Sequence, residues 1–351
     1  MDKARFQIVV VTFYDGGQFR NELENLAGIK ILSLGKGGRW DLVGFVKRLI
    51  NLVKMEKPDI VHGYLDVANL FSLLAGKLNG ANVIWGMRAS DMDFSRYDWT
   101  ARFVYKMNVL FSPLPDGIIC NSHAGKKFHL GQGFRPKRME VVVNGINTQE
   151  FLPDGQNRAK MRHAWGVSED TILVGQVGRL DPMKALESFI EAAAKISQKI
   201  PDVKFVHVGD GPVDYRNELL SLCQSYGLND AFIWAGKLDN MPRVYNALDI
   251  LSLSSAYGEG FPNVVGEAMA CAIPCVVTDV GDAASVVGEC GRVVPAGDAQ
   301  ALADSLVSLI MMPAGSRLEL GRQSRQRVED LFSVQTLVER SEHIFLEVAG
   351  L

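Results

Sequence analysis

Short apolar runs alternate with longer amphipathic stretches along the first 160 residues. The runs are rich in Val and Ile, as β-strands are, and they occupy residues 7–13, 29–35, 59–64, 82–88, 117–122 and 139–145. Helical stretches such as residues 41–57 and 67–78 lie between most of them. Strands that alternate with helices are typical of parallel βαβ units. The pattern predicts six strands of a doubly wound α/β domain.

The same alternation returns after a polar stretch at residues 148–170. Its apolar runs occupy residues 171–178, 203–209, 231–236, 249–255, 273–279 and 291–297. We therefore predict two Rossmann-like domains of class α/β, residues 1–160 and 161–332. Residues 333–351 are predicted to form a helix that packs back toward the first domain. Because parallel sheets bind ligands at the carboxyl ends of their strands, the expected site is a cleft between the two domains.

Composition is that of a globular protein. A chain of 351 residues suits two domains, and 47% hydrophobic with 22% charged residues is ordinary. No apolar run reaches the length of about 18 residues that a transmembrane helix needs, and the first residues do not resemble a signal peptide. The five cysteines are odd in number and lie in apolar contexts, which indicates reduced thiols and a cytoplasmic location. No spacing indicates a metal site.

Charge is divided unevenly along the chain. Residues 1–160 hold 22 Lys and Arg against 15 Asp and Glu, a balance of +7, whereas the remainder holds 15 against 25, a balance of −10. A basic run with apolar residues between its members concentrates the positive charge: Lys126, Lys127, Arg135, Lys137 and Arg138. This split indicates either two differently charged surfaces or contact with an anionic partner, such as a lipid head group or a phosphorylated acceptor.

Two acidic residues interrupt the apolar stretch "YGEGFPNVVGEAMAC". The segment Phe261–Ala272 is predicted to be a buried helix, because Pro262 suits a first turn and apolar side chains cover most of its sides. Glu267 lies inside this helix, four residues after Asn263 on the same face, and needs a polar partner. Glu259 precedes the helix, whose N-terminus attracts anions. A ligand with hydroxyls and a phosphate suits this arrangement, and internal salt bridges are the alternative.

A second group of candidate residues follows a strand, in "GRLDPMK". Gly178 lets the backbone turn, and Arg179 and Lys184 supply two cations at the strand end. Arginine and lysine both bind phosphate, the first through two-point contact and the second as a point charge. Salt bridges in a surface loop are the alternative. The sequence lacks G-x-G-x-x-G after a strand, a P-loop and a G-x-S-x-G elbow, which disfavours dinucleotide cofactors and serine hydrolases.

Taken together, "GRLDPMK", "HVGDGP", "WAGKLDNMPRVYNALDILSLSS", "GEGFPNVVGEAMAC" and "PCVVTDVGD" resemble retaining glycosyltransferases of the GT-B fold, in the glycogen-synthase-like and sucrose-synthase-like group. The resemblance covers essentially the whole chain and is strongest from Val174 to Pro295. It implies transfer of a sugar from a nucleotide-sugar donor, expected to be a UDP-sugar, to a glycan or lipid-linked acceptor in polysaccharide biosynthesis. It implies no metal, no cofactor and no nucleic-acid partner. Peripheral contact with the inner face of the membrane is an added expectation for the basic first half.

The resemblance also assigns roles to residues. Arg179 and Lys184 would hold the donor diphosphate, whose charge grows as the sugar leaves, and Glu259 would face the donor sugar. Glu267 would accept hydrogen bonds from the ribose. Replacing Arg179 or Lys184 by alanine is expected to reduce transfer more than folding stability. The remaining residues that would border the donor or an acceptor group are Gly178, Gly260, Phe261, Pro262, Asn263, Lys237 and Arg88.

Three departures from the family pattern stand out. Arg88, followed by Ser90 and Asp91, occupies a strand end where many relatives carry His. Ala272 replaces a usual Gly, which is harmless if the turn there keeps a negative φ. The third departure is that the strand expected before residue 7, with its Gly-rich loop, is missing. We expect either that the flanking strands close up or that the chain is a truncated product with a loosened first domain.

Two rival functions remain from the sequence. One is a non-catalytic relative that binds nucleotide sugars through an intact second domain. The other is an epimerase of the same fold, which would need acid and base carboxylates near the sugar ring. The combination of Arg179 and Lys184 with the Glu259–Glu267 pair argues against an epimerase.

Overall fold

The computed structural model describes residues 1–17, 20–26, 28–38, 40–88, 90 and 98–351. Asp91 lies outside the described residues. The strands are β1 Ile8–Thr12, β2 Ile29–Ser33, β3 Ile60–Tyr64, β4 Asn82–Met87, β5 Gly117–Cys120, β6 Met139–Val141, β7 Leu173–Val177, β8 Lys204–Val208, β9 Phe232–Gly236, β10 Ile250–Leu253, β11 Cys275–Thr278 and β12 Arg292–Val294. The helices are α1 Arg20–Glu24, α2 Leu42–Glu56, α3 Asp66–Leu78, α4 Trp99–Phe111, α5 His123–Gly131, α6 Gly155–Ala164, α7 Leu186–Ser197, α8 Val213–Ser225, α9 Met241–Ala247, α10 Asn263–Ala270, α11 Ala283–Val287, α12 Ala299–Ile310, α13 Ala314–Leu331 and α14 Val334–Ala349.

The twelve strands of the described chain lie within the apolar runs of the sequence, and all of their pairings are parallel. The second half forms one six-stranded sheet in the order β12-β11-β10-β7-β8-β9. Helices α9, α10, α11 and α13 cover one face of this sheet, and α7, α8 and α12 cover the other. This confirms the predicted α/β class. The order reverses direction beside β7, so β7 and β10 flank a crevice at their carboxyl ends.

The first half contains two separate sheets. β1 pairs with β2, while β3, β4, β5 and β6 form a four-stranded sheet in that order. The strands that would flank the missing strand are β1 and β3. In the described part of the chain they do not pair with each other, so they do not close up into one sheet. They share a core instead, since Val11 of β1 and Val61 of β3 pack against the buried Phe45 of α2 and Ala75 of α3. The two sheets are thus joined through helices.

Two helices relate the halves to each other. α6 spans the predicted boundary at residue 160 and packs on α9 of the second half. Its Arg162 is buried and forms an ion pair with Asp249 at 3.1 Å. We therefore propose that the second domain begins before Gly155. α14 follows the second half but packs on the four-stranded sheet, where Ile344 contacts the cluster of Ile84 and Ile119.

Two expectations about the helix after Glu259 need correction. The helix α10 runs only from Asn263 to Ala270, and Pro262 precedes it instead of lying in its first turn. Ala272 adopts φ of 60°, in the left-handed region. The condition under which Ala272 would be harmless, a negative φ, is therefore not met. The chain reverses sharply there, because Ala272 N–H donates to Met269 O and Ile273 N–H to Ala268 O. A residue other than glycine in this conformation is strained.

Candidate functional site

Lys184 reaches the cleft through a short turn after β7. Residues Pro182–Lys184 form one 3₁₀ turn, and Asp181 caps it by accepting from Met183 N–H at 3.0 Å. The next residue, Ala185, has φ of 43°. This bend is held because Ser254 Oγ donates to the carbonyl of Lys184 at 2.9 Å. The turn from β7 is thereby fastened to the end of β10.

Glu259 meets Lys184 in a buried ion pair. Lys184 Nζ lies 2.5 Å from Glu259 Oε1, and Ser255 Oγ donates to the same oxygen at 2.6 Å. The Glu259 side chain is 7% exposed and that of Lys184 15%. Gly281 packs against the backbone of Glu259, since a Cβ at position 281 would lie 2.1 Å from Glu259 O. The structure therefore brings two of the three predicted catalytic residues into contact, with one carboxylate oxygen between two donors.

Arg179 lies at the same strand end but faces solvent. Its side chain is 76% exposed, and its nearest acidic partner is Asp181 at 3.6 Å. Gly178 N–H donates to Val208 O, which ties the end of β7 to the end of β8. Lys237 is exposed just after β9, two strands from β7. Two solvent-accessible cations thus accompany the partly buried Lys184 at the carboxyl ends of this sheet.

Glu267 has the polar partner that its burial requires. Tyr245 of α9 donates its hydroxyl to Glu267 Oε2 at 2.6 Å, and the tyrosine itself is fully buried. Burial raises the pKa of Glu267 and nearby Glu150 raises it further, whereas the Tyr245 hydrogen bond lowers it. Burial also raises the pKa of Tyr245 well above its usual range. One oxygen of Glu267 is held in place, and the carboxylate borders a cavity.

That cavity has a volume of about 410 Å³ and lies between the two halves. Glu267 and Asn263 line it from α10, and Asn144 lines it from the loop after β6. Asn144 Nδ2 donates to Asn263 Oδ1 at 2.9 Å, and Arg88 donates to Asn144 Oδ1 at 2.7 Å. Arg88 also lies over the Tyr64 ring, 5.2 Å from its centroid. Arg88 is therefore brought to the cleft.

Gly260, Phe261 and Pro262 connect Glu259 to α10. The Phe261 ring is buried against Phe332, with centroids 5.4 Å apart, so this side chain stabilises the core. The backbone of Phe261 lies next to the N-terminus of α10. A Cβ at Gly260 would lie 3.3 Å from Ser122 Oγ, which places this segment against the first half. Pro262 carries no N–H to donate, but its carbonyl accepts from Val265 N–H at 3.0 Å.

Several residues of the site escaped the sequence analysis. Tyr245, Ser255 and Asn144 all contact a predicted residue. Tyr245 and Asn144 lie on different elements from their partners, whereas Ser255 lies in the same loop as Glu259. Ser90 was noted only as a neighbour of Arg88, and its hydroxyl donates across the cleft to Glu259 O. The one available signal was that Tyr245 lies in an apolar stretch, where a buried hydroxyl needs a partner.

Comparison with solved structures identifies the fold. The chain superposes on HepE of Anabaena, solved in complex with UDP, with a TM-score of 0.84, over 97% of this chain and 92% of that one, at 21% identity. The fold is thus GT-B, two Rossmann-like units with parallel sheets. Residues 171–311 match the model described as Glycosyl transferases group 1, and residues 1–150 match Glycosyltransferase Family 4. Each half of the chain is thus similar to a glycosyltransferase family, the second half to the group 1 glycosyltransferases.

Curated relatives share part of this chain. UDP-Gal:alpha-D-GlcNAc-diphosphoundecaprenol alpha-1,3-galactosyltransferase of Escherichia coli is 27% identical over 247 residues, 68% of this chain. N-acetyl-alpha-D-glucosaminyl L-malate synthase of Bacillus anthracis is 28% identical over 214 residues, 60% of this chain. The matches span 63% and 54% of those relatives' own lengths.

Proposed function

We propose that this protein transfers a sugar, with retention of configuration and without a metal ion, from a UDP-sugar to a glycan or lipid-linked acceptor. The observation that carries the proposal is the buried contact of Lys184 with Glu259 at the carboxyl ends of β7 and β10. It lies directly before the N-terminus of α10. A cation, a helix N-terminus and an acceptor carboxylate at one point suit a sugar diphosphate, which carries both negative charge and hydroxyls.

Each side chain has a role in this proposal. Lys184 and the accessible Arg179 neutralise the charge that develops on the leaving diphosphate. Glu259 accepts hydrogen bonds from donor-sugar hydroxyls through its second oxygen, since Lys184 and Ser255 both contact the first. Glu267, oriented by Tyr245, accepts from the ribose. Because two cations and the α10 N-terminus supply positive charge, we propose that the diphosphate needs no metal.

The acceptor enters from the first half in this proposal. Arg88 and the exposed Tyr64 lie at the carboxyl ends of β4 and β3, on the cleft side of that sheet. One relative's name includes a diphosphoundecaprenol acceptor, which favours the lipid-linked class. We propose that the protein works in the cytoplasm, in polysaccharide biosynthesis, with peripheral contact to the inner face of the membrane. None of the helices in the described ranges is long and apolar enough to cross a membrane.

A non-catalytic nucleotide-sugar binder is the alternative function, and the relatives named as glycosyltransferases argue against it. A binder would use Lys184 and Glu259 for the same donor contacts, so an assay of transfer separates the two functions.

The test combines binding and transfer. UDP at a hundredfold excess over its Kd should stabilise the protein by about 2.7 kcal/mol in a thermal shift assay. Glu267→Gln should weaken UDP binding about tenfold or more, because it replaces a hydrogen bond from the ribose to a charged group. The matched control is Glu289→Gln, on an outer 3₁₀ turn. Nuclear magnetic resonance of the product should show the donor's anomeric configuration.

Failure would be visible in each measurement. UDP binding without transfer to any tested acceptor would support the binder, an inverted anomer would exclude retention, and chelator-sensitive transfer would exclude metal independence. Equal UDP affinity in both variants would remove Glu267 from the site.

A further inference from the structure

Asp282 has an unusual place between β11 and α11. It occupies the N-cap position of α11, where an aspartate usually accepts from its own helix's first turn. Its side chain makes no such bond. Instead, Asp282 Oδ2 accepts from His123 N–H at 2.7 Å, and Oδ1 accepts from Ala124 N–H at 2.8 Å. These are the first two residues of α5, so the carboxylate caps a helix of the opposite half.

Burial and two backbone donors make this contact strong. Asp282 is only 4% exposed, and both of its oxygens accept from backbone N–H groups at a helix N-terminus, where the partial charge is positive. The next N–H of α5, that of Gly125, donates to Ser122 Oγ at 3.0 Å. The first half therefore satisfies one early N–H of this helix, and the second half satisfies the two before it.

The same residue holds the backbone beside the ion pair. Asp282 N–H donates to Gly260 O at 3.0 Å. The neighbouring carbonyl, Glu259 O, accepts from Ser90 Oγ of the first half. The Glu259–Gly260 backbone thus lies between the Asp282 loop and the first half of the chain. Separating the halves would break the bonds to α5 and to Ser90 together.

We propose that Asp282 is a positioning residue, whose cross-cleft contact with α5 fixes the Glu259–Gly260 segment and so couples closure of the cleft to completion of the donor site. This inference rests on the proposed function, since the donor site is defined there. When the halves separate, water replaces the carboxylate at His123 and Ala124. Glu259 then loses the backbone support from Ser90, while its bonds to Lys184 and Ser255 stay within the second half.

Reciprocal variants test the contact without relying on transfer. Asp282→Ala removes the acceptor, and His123→Pro removes one donor. Proline suits position 123, since it is the first residue of a helix and the preceding Ser122 is extended, with φ −157° and ψ 152°. The matched control is Asp279→Asn, an exposed aspartate of the same loop. Amide hydrogen exchange at Ala124 should accelerate about tenfold or more in Asp282→Ala and His123→Pro, and stay unchanged in the control.

Transfer kinetics then test positioning. Both variants should lower kcat about tenfold, and the double variant should lose little more than either one, because the two residues share one interaction. The Kd for UDP should stay within about threefold, which general damage to the second half would not allow. Additive losses, or Ala124 exchange equal to that of the control, would overturn the inference. If the parent transfers no sugar, the proposed function fails, while the exchange and UDP measurements still decide whether Asp282 bridges the halves.

Discussion

At the scale of single residues, the Lys184–Glu259 pair determines what substitutions at the site mean. Breaking a buried pair from one side leaves the other charge without its partner. The expectation that Lys184→Ala and Arg179→Ala reduce transfer more than folding stability stays a prediction, and the pair adds an expected loss of stability at Lys184.

We predict that Lys184→Ala lowers the free energy of unfolding by about 3 kcal/mol or more, because Glu259 keeps only Ser255. Arg179→Ala should change it by less than about 0.5 kcal/mol. Urea titration of both variants checks this. The double variant Lys184→Ala/Glu259→Ala should lose less than the sum of its two single changes. Strict additivity would show that the pair contributes nothing.

Ala272 offers a stabilising substitution. Its φ of 60° is costly for an alanine but not for a glycine. We expect the relief of this strain in Ala272→Gly to raise the free energy of unfolding by about 0.5–1 kcal/mol. The entropy that glycine adds to the unfolded chain offsets part of this gain. Chemical denaturation measures the change, with Ala303→Gly in the interior of α12 as a control that should destabilise. A lower midpoint for Ala272→Gly would mean that the turn relaxes in solution.

The sequence was sufficient to predict some residues of the candidate site and not others. Glu259, Glu267 and Lys184 were predictable because their spacing follows strands and helices within one half. The partners Tyr245, Asn144 and Asp282 were not, because each contact joins elements separated by many residues and depends on how the elements pack. The φ of Ala272 depends likewise on the tight turn between α10 and β11.

At the scale of elements, the alternation of apolar runs with amphipathic stretches predicted the positions of the strands, because buried parallel strands are continuously apolar. It did not show how the strands of the first half pair. It also did not show which surface is both apolar and basic. The cluster around Lys126 is not that surface, since Lys126 donates to Met139 O, Lys137 lies near Asp116, and Phe134 is buried.

Helix α4 presents such a surface instead. Trp99, Phe103 and Leu110 lie on its outer face and are 74%, 57% and 65% exposed. Lys106 is exposed on the same face, and α4 contains no acidic residue. An apolar face flanked by cations is typical of helices that lie on anionic bilayers. We therefore propose α4 as the membrane contact of the protein.

Vesicle binding tests this surface. The protein should cosediment with vesicles containing phosphatidylglycerol, less so as salt rises, and poorly with phosphatidylcholine alone. Trp99→Ser/Phe103→Ser should reduce binding about tenfold or more, because two large apolar side chains leave the interface. Leu318→Ser, which alters a 68% exposed leucine on α13, is the matched control. Equal loss in both variants, or salt-independent binding, would contradict the role of α4.

At the scale of the whole molecule, burial couples protonation to folding. Burial lowers the pKa of His62 to about 4, with a smaller effect from Arg88, and lowers that of His207 to about 4. An unfolded histidine has a pKa of about 6.5. Both residues therefore favour the folded state above pH 6.5, and this stabilisation is lost as the pH falls toward 4.

The free energy of unfolding should accordingly fall by about 2 kcal/mol per histidine between pH 7 and pH 5. Denaturant titrations at several pH values measure it. His62→Gln should flatten the curve, because it removes one of the two groups whose pKa is lowered by burial. A curve that is flat between pH 7 and pH 5 in the parent would show that the buried histidines are hydrated in solution.

The path of the chain between the halves has a mechanical consequence. The chain crosses from one half to the other after β6 and again before α14, and the two crossings are bonded to each other. Ile146 N–H donates to Phe332 O at 2.7 Å, and Val334 N–H donates to Ile146 O at 3.1 Å. Gly145 lets them approach, since a Cβ there would lie 2.8 Å from Val334 Cα. Two crossings joined at one point act as a single pivot, so the halves should rotate about it and not slide, and a bulky residue at position 145 would displace the axis itself.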